Sequence, residues 1–95
     1  MRAGDLLAAL SIKAFEEEYE AIYFQSEKQL IPFTSIEIDQ VGDLVLYHEN
    51  QKPPLLIKDL LIKLMLNKKQ LLTYWNGREK NIIFGYRVEK EKIII

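Results

Sequence analysis

A chain of 95 residues, 48% apolar and 28% charged, has the composition of a single folded domain, too apolar for disorder and too short for two independent cores. The absence of cysteine excludes disulfides, thiolate metal sites and cysteine nucleophiles. No window approaches the roughly 18 uncharged apolar residues of a membrane span. The richest, residues 55 to 66, carries Lys58, Asp59 and Lys63.

Asp5 suits the N-cap of a first helix in which Leu6, Leu7, Leu10 and Ala14 share one face. The acidic run Glu16, Glu17 and Glu18 opposes the helix dipole, so the helix is expected to stop near residues 13 to 15. Residues 19 to 25 alternate as a strand with Ile22 and Phe24 on one face. Residues 26 to 29 turn, and residues 30 to 38 form a second strand. There Pro32, which has no N–H to give, marks an edge or a bulge. A turn at residues 40 to 43 leads to a third strand at residues 44 to 48.

Residues 49 to 54 form a polar linker stiffened by Pro53 and Pro54. Beyond it Ile57, Leu60, Leu61, Leu64 and Met65 fall at the spacing of an amphipathic helix, with Leu61 and Leu64 expected at its buried centre. Residues 71 to 75 begin a strand, and Asn76-Gly77 predicts a type I′ hairpin turn. Residues 81 to 88 form the next strand, with Gly85 as a bulge or a point of close packing. After a turn at residues 89 to 92, Ile93, Ile94 and Ile95 read as a short edge strand with apolar side chains, guarded only by Lys92.

The two halves resemble each other. Asp5-Leu6-Leu7-Ala8-Ala9-Leu10 recurs as Asp59-Leu60-Leu61-Ile62-Lys63-Leu64, an offset of 54, while Tyr23/Tyr74 and Phe33/Phe84 lie 51 apart and Leu44/Ile93 49 apart. The expected fold is therefore α+β: two αβββ pseudo-repeats (residues 1 to 48 and 55 to 95) in one domain, giving a mainly antiparallel sheet of about six strands with two packed helices. Charge divides the halves. Residues 1 to 48 carry three bases and nine acids, residues 49 to 95 ten bases and five acids. Such polarity serves either attraction within the monomer or a binding face.

Catalytic constellations are almost absent. His48 is the only histidine, and a lone strand-end histidine reads as a solvated side chain before it reads as a ligand. The four glycines are scattered, with no phosphate-cradling loop or dinucleotide fingerprint. Asp39, Asp43 and the acids from Glu16 to Glu20 lack the spacing of a calcium loop. No catalytic, cofactor or metal site is expected, and the chain is not expected to be an enzyme; an enzyme using carboxylates alone is the weakest alternative.

In the second half Tyr74, Trp75 and Tyr86 interleave with Arg78, Lys80 and Arg87. That mixture suits a stacking platform for single-stranded nucleic acid, although aromatic residues in strands more often pack in the core. The order helix, three strands, helix is also that of a double-stranded RNA-binding domain, but the acidic first half argues against phosphate binding. The leading expectation is a small non-catalytic protein-interaction or regulatory module, with a protein or a second copy of itself as partner and a homodimer favoured over a monomer. Nucleic-acid binding through the basic second half is the alternative. Ten lysines to three arginines is a usage of AT-rich bacterial genomes, and nothing in the first residues resembles a secretion signal, so a bacterial cytoplasm is the expected location.

Overall fold

The structure, a computed structural model, describes residues 1–13 and 18–95. Helix α1 (Ala3–Lys13) is followed by β1 (Ala21–Ser26), β2 (Gln29–Pro32), β3 (Ser35–Ile38) and β4 (Leu44–Tyr47). Helix α2 (Ile57–Leu66) is followed by β5 (Leu72–Trp75), β6 (Lys80–Ile82), β7 (Arg87–Glu89) and β8 (Lys92–Ile94). The fold is α+β with two helices, but its strands form two four-stranded mixed sheets, ordered β2-β1-β8-β7 and β3-β4-β5-β6. This corrects the expectation of one mainly antiparallel sheet of about six strands.

The reason lies in the two segments that read as single long strands. Phe33 donates its N–H to the Ile22 carbonyl, the last link to β1, whereas the Thr34 N–H turns to the Tyr47 carbonyl in the other sheet. The chain therefore changes sheets just after Pro32. Residues 81 to 88 divide likewise: Ile83 donates to Leu72, and β7 then pairs with β8 in the opposite sheet. Alternation reports which face of a strand is buried and is silent on which sheet it joins.

Each sheet is two antiparallel hairpins joined at the centre by a parallel pair, β1 with β8 and β4 with β5. The terminal isoleucines are thus not an exposed edge. Strand β8 lies between β1 and β7, Ile93 and Ile94 are buried, and the Ile95 N–H donates to the Tyr23 carbonyl. The edges are β2, β7, β3 and β6 instead.

Helix α1 begins two residues before the expected cap, so Asp5 sits inside its first turn and its carboxylate reaches back to accept from the Arg2 N–H at 2.9 Å. The amides of Ala3 and Gly4 donate to the carbonyls of Gln70 and Lys68, both at 2.9 Å, which satisfies donors that a helix start leaves open. That approach favours glycine at position 4, because a Cβ there would lie 3.1 Å from the Lys68 carbonyl oxygen and push it back by a few tenths of an ångström. Ala14, Glu16 and Glu17, on which the expected end of this helix rested, lie outside the described residues.

On α2 the buried pair is Leu60 and Leu64, and Leu61 is only half-buried. The expectation of a buried Leu61 was misplaced by one position, about 100° around the helix. Leu6 and Leu10 of α1 join Leu60 and Leu64, and with Ile22, Phe33, Ile36, Leu44, Leu46, Leu72, Ile83 and Ile93 they form one core drawn from both halves. Among the described residues no helix is long and apolar enough to cross a membrane.

The turns also differ from expectation. Gly77 has φ +99°, but Asn76 does not enter the left-handed region, and a loop of residues 76 to 79 separates the paired Trp75 and Lys80. Asn76 closes that loop with its side chain, whose Oδ1 accepts from the N–H groups of Arg78 and Glu79. The two-residue turn with consecutive positive φ angles is Lys90-Glu91, at 49° and 70°, between the paired Glu89 and Lys92.

Candidate interaction surfaces

The six residues that suggest a stacking surface fall in separate places. Trp75 ends β5 and is 39% exposed. Its neighbour Tyr74 points the opposite way, as strand parity requires, and packs against Phe24 and Phe33 with both ring centroids at 5.9 Å. Arg78 is exposed on the β5–β6 loop, Tyr86 packs against the core, and Lys80 and Arg87 stand on different sheets. The two strand cations are engaged. Lys80 pairs with Asp39 and Asp43, while Arg87 donates to Glu89 at 3.1 Å and to Gln25 at 2.7 Å.

Trp75 does border a groove of about 260 Å³, with Phe24, Ser26, Ile31, His48, Asn76 and Gly77. His48 is fixed in its wall. Its Nδ1 lies 2.7 Å from the Pro32 carbonyl, a group that only accepts, so Nδ1 carries the proton. Its Nε2 faces the Asn50 side chain at 3.3 Å. These contacts tie the start of the 49–54 linker to β2.

A polar clasp spans the second sheet, and sequence reasoning missed it. The Lys80 ammonium lies 2.8 Å from Asp39 and 2.7 Å from Asp43, although the residues are 41 and 37 positions apart. Only the parallel pairing of β4 with β5 brings them together. The other oxygen of Asp39 accepts from the N–H groups of Val41 and Asp43, which fixes its rotamer. The hydrogen bond from Lys80 holds the Asp39 carboxyl below its ordinary range, and those to Asp39 and Asp43 hold the Lys80 ammonium above its own. Three of the four ion pairs among the described residues, counting Lys92 with Glu20, join the acidic half to the basic one.

The clasp has a pH signature. A lowered Asp39 value gives stability that is present above the unfolded carboxyl's value and lost as pH falls through the folded one. A raised Lys80 value gives stability that is present below the unfolded lysine's value and lost as pH rises through the folded one. The stabilising window therefore runs from about pH 4 to about pH 10. Lys80→Met is expected to lower the thermal midpoint at pH 7 and to approach the wild type at about pH 2, below the ordinary carboxylate range, as Asp39 takes up a proton. A gap of equal size at both pH values would show that charge contributes nothing there.

The outward side of α2 carries Ile62, Met65 and Leu66, which are 47%, 52% and 70% exposed, together with the exposed Lys58 one turn before Ile62. Comparison with protein-family models, with curated proteins and with solved structures finds no match for this chain.

Proposed function

We propose that this chain is a small non-catalytic interaction module that self-associates through the outward face of α2. The observation that carries this reading is the exposure of Ile62, Met65 and Leu66 at positions i, i+3 and i+4, a stripe on the side of the helix away from Leu60 and Leu64. Its charges are self-complementary. Asp59 and Lys63 lie on one flank of that stripe, and neither has an ion-pair partner among the described residues. When two copies of α2 pack antiparallel across a two-fold axis near residues 61 and 62, each Asp59 meets the Lys63 of the other copy. One ten-residue helix buries less than the roughly 800 Å² per partner of a stable complex, so the expected association is weak, with a dissociation constant of about 1 to 100 μM.

Sedimentation equilibrium tests the reading. The wild type is expected to dimerise across that range, and Ile62→Glu to stay monomeric with an unchanged circular dichroism spectrum. A wild type that is monomeric throughout, or a dimer untouched by Ile62→Glu, defeats it.

The same proposal takes the two halves as copies of one unit, a helix with four strands, related by an approximate two-fold axis. What supports this is register. The hairpins β1–β2 and β5–β6 pair residues fifty positions apart in the same way: Gln25 with Leu30 and Trp75 with Lys80, Phe24 with Ile31 and Tyr74 with Asn81. The parallel pairs correspond as well, Ile22 beside Ile93 and Leu72 beside Leu44. The Leu55 N–H meets the Phe33 carbonyl as the amino terminus of Met1 meets that of Ile83.

A further inference from the structure

The matched registers set Leu30 at the station that Lys80 holds in the other sheet. Asp39 faces Asp43 across its turn as Glu89 faces Lys92. In the β3-β4-β5-β6 sheet this station is closed by the ammonium of Lys80 on two carboxylates. In the other sheet Leu30 has no ammonium to extend, and a cation, Lys92, stands where the second carboxylate would be. The space stays open as a cavity of about 430 Å³ lined by Leu30, Glu89, Lys90 and Lys92.

We propose that this cavity binds a small amphipathic anion, an apolar body carrying one carboxylate or phosphate group. Its volume falls within the roughly 300 to 1,000 Å³ of small-ligand sites. Leu30 and the aliphatic stems of the lysines supply apolar wall, and the lysine heads supply positive charge. That charge is only partly neutralised locally. Glu89 is engaged by Arg87 at 3.1 Å, Lys90 has no ion-pair partner among the described residues, and Lys92 has only a distant one, Glu20 at 3.7 Å. An anion placed here would meet Lys90 and Lys92 together.

The turn that carries Lys90 adds an independent observation. Lys90 and Glu91 both adopt the left-handed backbone conformation, which Asn and Gly take at much lower cost. Of the two, Lys90 lines the cavity, and a residue held in a disfavoured conformation there is the kind of local strain that accompanies ligand sites. The turn keeps a lysine where a freer choice for folding would be Asn-Gly.

Titration followed by ¹H–¹⁵N and methyl spectra, with octanoate as probe, tests the proposal. Octanoate is expected to give saturable shifts at the Leu30 methyls and at the amides of residues 89 to 92. Inorganic phosphate, which lacks the apolar body, and octanol, which lacks the charge, are each expected to bind at least about tenfold more weakly. The double variant Leu30→Lys with Lys92→Asp rebuilds the clasp of the other sheet, and octanoate binding should fall at least about tenfold. Lys90→Asn with Glu91→Gly suits the turn and should weaken binding while raising the thermal midpoint, which decides the matter if the first variant does not fold. Absence of saturable shifts, equal binding of octanol or phosphate, or octanoate binding unchanged in the folded variants would overturn the proposal.

Discussion

Phe33→Ala is expected to cost about 3 to 5 kcal/mol, the range for truncating a buried phenylalanine. Phe33 is fully buried at the point where the chain leaves one sheet for the other. Its ring lies 5.0 Å from that of Phe24 and 5.9 Å from that of Tyr74, edge-on to the latter, so removing it opens a void between rings drawn from both sheets. Its backbone joins three segments, with the N–H on Ile22 and the carbonyl accepting from Leu55. A domain of this size holds about 5 to 10 kcal/mol in total, so the variant should retain little stability. Phe84, its counterpart by aromatic spacing, is 85% exposed, and Phe84→Ala should change stability by less than about 0.5 kcal/mol. Urea midpoints of the two variants check both values, and similar midpoints would mean that the aromatic cluster does not carry the core.

That contrast shows what was legible in the sequence and what was not. Periodicity located both helices and nearly every strand, because burial imposes its own period on each element. It paired Phe33 with Phe84, whereas the registers match Phe33 with Ile83. A slip of one residue carries a side chain from the core face to solvent. The division into two sheets was hidden for a related reason: residues 30 to 38 keep their alternation while the hydrogen bonds change partner after Pro32. Leu61 was favoured over Leu60 because the apolar run from Leu60 to Ile62 does not say where its centre lies. Once α1 packs beside α2, the line through Leu60 and Leu64 becomes the buried one.

The surfaces were less legible still. Trp75 and Arg78 could be placed near an exposed hairpin tip from the Asn-Gly signal, but Lys80 and Arg87 read as free cations. Their carboxylate and amide partners, apart from Glu89, lie 37 or more residues away, beyond the reach of any local pattern. The cavity beside Leu30 could not be foreseen. Its lining joins Leu30 of β2 to the β7–β8 hairpin, which only the sheet order brings together.

Leu60→Ala and Leu6→Ala are each expected to cost about 2 to 5 kcal/mol, and their agreement tests the proposed relation between the halves. Both side chains are fully buried, and each occupies the first turns of its helix and faces the shared core. Their surroundings are formed by residues that the proposal matches, Leu10 and Leu64 one helical turn further on and Ile22 and Leu72 at the starts of β1 and β5. If the halves are copies of one unit, the cavities left by the two truncations should be alike and the costs should agree within about 1 kcal/mol, since the cost at fixed chemistry follows how far the site can collapse. The residues share one core, so the double variant should depart from the sum of the single effects. Chemical denaturation of both single variants and of the double variant supplies these values. A loss below about 1 kcal/mol at either position would remove that helix from the core, and costs that differ severalfold would leave the likeness of the halves confined to their strands.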